Sequence, residues 1–168
     1  MKRSLTFLGF LLLLLSVQGV LVRSTGWRLD VATLAVVYLA LERAVLPGAA
    51  LAVASGYLSD VLAGTNRGLY AATGVIVFFV VRLGVSRLAG SGPLFVSLLG
   101  VLATALTLAV AVVIEALLGP AAHEIRGIAP AFLPLLGGAA VLSYPVYRLL
   151  KRIDERFKEP EDDLVFRP

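Results

Sequence analysis

Long apolar runs separated by short polar breaks dominate the chain, and six of them read as helices: residues 5–22, 27–41, 44–64, 68–81, 88–114 and 127–147. A bilayer core about 30 Å thick is crossed by about 20 mostly apolar residues rising ~1.5 Å each, so most of these runs have the length of a span. The second is short, with Asp30 at its start and Glu42 and Arg43 closing it, and the third is apolar except for Asp60. The fourth is followed by Arg82 and Arg87, expected to dip into a headgroup layer. Gly90, Ser91, Gly92 and Pro93 read as a turn, so the fifth helix is placed from near Pro93 to near Gly119 and Pro120. Pro130, Pro134 and Pro145 fall in or near the sixth and predict kinks. The expected fold is all-α: a polytopic membrane protein of about six transmembrane helices over 1–150, with a cytoplasmic amphipathic and acidic tail over 151–168.

The first run also imitates a secretory signal peptide, with Lys2 and Arg3, a leucine stretch and the small-residue pattern at Val17, Gln18 and Gly19. Its apolar character continues past that point through Val22, which favours a retained helix. Beyond the last run, Leu149, Leu150, Ile153 and Phe157 recur at helical spacing with basic residues between them, the pattern of an interfacial helix that either anchors the span or docks a cytoplasmic partner. Pro160, Glu161, Asp162 and Asp163 then read as a frayed end.

Composition sharpens this picture. The 168 residues are 59% hydrophobic and 15% charged, against about 25% charged in soluble domains. Twelve of the charged residues lie in the last 21 positions, leaving the rest still barer. Basic residues sit at segment ends rather than along one aromatic-bearing face, which argues against nucleic acid. With the N-terminus in the cytoplasm, eleven basic residues fall inside and four outside (Arg23, Arg28, Arg67 and Arg126), so both termini are expected to be cytoplasmic. There is no cysteine, and the single histidine, His123, beside Glu124, reads as a wet loop residue. No metal, cofactor or catalytic group is therefore expected.

The most informative stretch is a ridge in the third run, where Gly48, Ala52, Gly56, Asp60 and Gly64 recur every four positions, continued by Gly68. Small residues at that spacing let helix backbones approach closely, the packing that drives association in lipid. A carboxylate in a span needs a partner. For Asp60 the nearby candidates are Arg67, Tyr70, Ser55, Ser59 and Thr65, with Asp30 and Glu115 toward the same outer face. A buried polar pair, a ligand or proton site, and a partner contact all remain open for this group.

Residues 29–43, with Asp30 opening an apolar stretch that ends in Arg43, and the series Gly48, Gly56, Asp60, Leu62, Gly64, Gly68 and Leu69 resemble the rod shape-determining protein MreD family of small bacterial inner-membrane proteins. Tyr144 and Pro145 in a last span running into a basic tail add a weaker likeness. The chain departs from the family pattern at Leu29, where proline is usual, and at Arg67, where leucine is typical. The resemblance implies a non-enzymatic scaffold of the cell-wall elongation machinery in the bacterial inner membrane. It further implies association with an MreC-like protein and, through it, with an MreB-like filament and peptidoglycan synthases, and a fold similar to the substrate-binding subunits of energy-coupling-factor transporters. The alternative is a small-molecule binding or transport subunit with an outward pocket near Asp30, Asp60 and Glu115.

Overall fold

The computed structural model describes residues 2–25, 30–63, 68–87, 92–118 and 125–156. It is all-helical, with six helices: α1 (Lys2–Thr25), α2 (Val31–Glu42), α3 (Val45–Ala63), α4 (Leu69–Arg87), α5 (Pro93–Leu118) and α6 (Ile125–Arg156). Each matches one of the six apolar runs. α4 continues past Val81 to Arg87, and α6 runs unbroken through its three prolines into the basic tail as a single 32-residue helix.

The arrangement follows from α2. Its sequence is apolar on every side, and Val31 to Ala40 are all buried, as expected of a helix with neighbours all round. α2 packs against all five others, which close a ring around it in the order α1, α3, α4, α5, α6. Phe7, Leu11 and Leu15, one turn apart on α1, are buried in this core, and the Phe7 ring stacks on Tyr38 of α2 at 5.8 Å. The first run is therefore built into the bundle rather than lying beside it.

The apolar core also encloses polar groups, and large apolar side chains stand on the surface. Leu46, Leu94 and Leu133 are 83%, 85% and 80% exposed, whereas Thr33, Ser55, Asp60, Thr73, Thr107, Ser143 and Asp154 are buried. Exposed large apolar side chains together with buried polar groups are the informative combination, because water disfavours both. Three helices carry segments long and apolar enough to cross a membrane: Val45–Leu62, Pro93–Val110 and Leu133–Arg156. The apolar parts of the others are shorter, Thr6–Val20, Val31–Glu42 and Leu69–Val85.

The small-residue ridge does bring helices close, and the neighbour it meets is α4. A Cβ on Gly56 would stand 2.3 Å from the Tyr70 carbonyl oxygen and 2.6 Å from Ala71 Cα, both backbone atoms that cannot swing aside. A Cβ on Gly48 would meet the Phe78 ring at 2.8 Å, and the Ala52 carbonyl oxygen is 3.1 Å from the Cβ position of Gly74. An equivalent approach joins α5 to α6, where the Cβ position of Gly100 falls on the Ser143 side chain. Gly64 lies outside the described residues.

Candidate functional site

At 12 residues α2 is about 18 Å long, well short of a 30 Å hydrocarbon core. Its end groups are enclosed by neighbours, so protein atoms must satisfy them. At the N-terminus Asp30 is the cap: Oδ1 accepts the Thr33 N–H at 3.0 Å and Oδ2 the Thr33 hydroxyl at 2.6 Å. Gln18 of α1 adds Oε1 as acceptor for Val31 N–H at 3.1 Å. Because the Thr33 proton goes to Asp30, the 3.0 Å contact between the Thr33 and Thr107 hydroxyls has Thr107 of α5 as donor.

The C-terminus of α2 is capped by a cation. Arg82 of α4 donates from one guanidinium nitrogen to the carbonyls of Ala40, at 3.1 Å, and Arg43. The sequence places Arg82 at the end of an apolar run, and the structure adds its partner, a fixed pair of carbonyls at the end of the short central helix. Arg43 itself is buried and forms an ion pair with Asp154 of α6, whose other oxygen accepts the Tyr38 hydroxyl at 2.8 Å. The Phe7 ring centroid lies 5.9 Å from the Arg43 guanidinium carbon. Nearer solvent, Glu42 accepts from the Tyr147 hydroxyl and, at 3.2 Å, from the Lys151 ammonium. Asp154, which the sequence does not single out, is thus an interior group clamping α6 to α2.

Asp60 has a local, structural set of partners. It is 2% exposed, and its carboxylate accepts three backbone N–H groups: Gly68 at 3.1 Å, Tyr70 at 3.0 Å and Ala71 at 3.1 Å. Gly68 is the residue before α4 and has no side chain with which to cap it, so Asp60 reaches across from α3 and takes the Tyr70 and Ala71 donors that a capping side chain would normally accept. Its negative charge also sits at the positive end of the α4 dipole. Gly68 was expected as a packing position, but its φ is +100° and a Cβ there would meet nothing within 4 Å. Glycine is favoured at this turn by backbone conformation, and its N–H faces Asp60.

Ser55 and Ser59, candidate partners of Asp60, instead bond back to the Ala52 and Ser55 carbonyls of their own helix at 2.8 Å and 3.0 Å. Tyr70 contributes its backbone N–H. Arg67, Thr65, His123 and the Glu115 side chain lie outside the described residues. Asp30 and Asp60 cap different helices, and each carboxylate is engaged by donors of its own helix junction.

Between α2, α3, α4 and α5 lies a cavity of about 10 Å³, lined in part by Thr33, Ser55, Thr73 and Thr107. That is about the space of a single water and far below the several hundred Å³ of a small-molecule site. Among the described residues, no three His, Cys, Asp or Glu side chains come together as metal ligands. What the arrangement does chemically is to terminate buried helices. No known family model, no curated protein and no solved structure matches this chain.

Proposed function

We propose that the protein is a non-enzymatic scaffold subunit of the bacterial cell-wall elongation and cell-shape machinery, held in the inner membrane by six spans with both termini cytoplasmic. In this reading it associates with an MreC-like partner and, through it, with an MreB-like filament and peptidoglycan synthases. The likeness to energy-coupling-factor transporter subunits belongs to the same reading. The observation that carries it is the engagement of Asp30 and Asp60, the two aspartates of the stretch resembling the MreD family. Both cap helix N-termini, so the stretch works as architecture, as a scaffold requires. The exposed leucines, together with polar groups buried and bonded inside the bundle, support embedding in lipid.

Co-purification of the full-length protein with an MreC-like protein from native membranes in mild detergent tests the proposal. Recovery of the partner, reduced together with rod shape when Gly56→Leu forces α3 from α4, is the expected outcome. Normal shape and partner recovery in that variant, with loss of uptake of a defined small molecule, would instead establish a transport subunit.

A further inference from the structure

The outward face of α6 changes character once along its length. Leu133, Gly137 and Val141 are exposed. Tyr144 and Tyr147 follow, then Arg148, Lys151 and Arg152, with Glu155 at the far end, and these last six line an open groove of about 340 Å³. One edge of the groove is fixed and neutralised, because Tyr147 and Lys151 both donate to Glu42. Arg148 and Arg152 are different. Both are exposed, they stand one turn apart on one face, and among the described residues neither pairs with a carboxylate.

We infer that this groove seats the headgroup of an anionic glycerophospholipid, with its phosphodiester between Arg148 and Arg152 and its acyl chains beside Val141. The inference rests on the membrane placement proposed above. Two guanidinium forks match the geometry of phosphate oxygens, and a basic groove beside a span on the cytoplasmic side suits such headgroups. The sequence of surfaces decides between lipid and an acidic peptide: apolar, then tyrosine, then arginine is the order of hydrocarbon, interface and phosphate met on leaving a bilayer. Val141 is about 10 Å along the helix from Arg148, inside the ~15 Å depth of one leaflet. An acidic peptide would use the arginines alone. Glu155 faces the same groove and weakens binding of any anion.

The test is retention of phosphatidylglycerol against phosphatidylcholine by the full-length protein purified from mixed micelles, quantified by mass spectrometry of bound lipid. Wild type is expected to enrich phosphatidylglycerol, and Arg148→Gln combined with Arg152→Gln to lower that enrichment by about tenfold to thirtyfold. Lysine at both positions should retain part of it, Glu155→Gln should raise it, and millimolar inorganic phosphate should not displace the lipid. Equal retention of the two lipids, undiminished enrichment in the double glutamine variant, or displacement by inorganic phosphate would overturn the inference. So would loss of an acidic partner protein in that variant with lipid selectivity unchanged. A chain that stays in the membrane fraction without lipid preference refutes this inference alone, whereas one extracted by carbonate refutes the membrane placement as well.

Discussion

Replacing Asp60 by leucine is expected to destabilise the detergent-solubilised protein by about 3 kcal/mol, since three part-buried N–H groups lose their acceptor at about 1 kcal/mol or more each. Asp60→Asn keeps one carbonyl oxygen but turns an amide donor toward backbone donors, so a smaller loss of about 1–2 kcal/mol is expected, near that of a lost helix cap. Thermal unfolding of both variants measures the order. Hydrogen exchange at Gly68, Tyr70 and Ala71 locates the effect, because fraying of the first turn of α4 should raise exchange there before elsewhere. A leucine variant as stable as the native protein would show that the carboxylate does not cap α4.

The second large effect is expected at the buried ion pair. Arg43→Met alone leaves Asp154 charged at 5% exposure, and Asp154→Leu alone leaves Arg43 uncompensated, each at a cost of about 3–5 kcal/mol. The double variant removes both charges and should recover much of the loss, giving a coupling energy of up to about 3 kcal/mol. Tyr38→Phe should cost about 1.5–3 kcal/mol, the usual worth of a hydrogen bond to a charged group. Strict additivity of the two single changes would mean that the Arg43–Asp154 pair contributes nothing to holding α6 to α2.

These effects separate what the sequence displays from what it hides. The six helices are visible because each needs an apolar run, and the ridge at Gly48, Ala52, Gly56 and Asp60 is visible because four-residue spacing places side chains on one helix face. The partners of Asp60 leave no trace of that kind, since its donors are backbone amides that any residue type would supply. Arg43 and Asp154 lie 111 positions apart, and only the closure of the ring brings the end of α6 to the end of α2. Until then Asp154 is one charge among many in an amphipathic tail, and Arg82 one more basic residue at the end of an apolar run. Gly68 continues the ridge in sequence but not in space, because the helix ends before it and φ becomes positive. The close contact of Gly100 with Ser143 likewise joins distant segments, and neither residue stands out locally.

The proposed scaffold role requires embedding in a bilayer with both termini inside. The chain contains no cysteine, so single-cysteine variants report topology without background. Labelling of His123→Cys, Ser91→Cys and Arg156→Cys by a membrane-impermeant maleimide in spheroplasts measures it most directly. Labelling of His123→Cys in intact spheroplasts, with Ser91→Cys and Arg156→Cys reacting only after permeabilisation, is the predicted result. Labelling of Arg156→Cys from outside, or protection of all three until the membrane is opened, would contradict it.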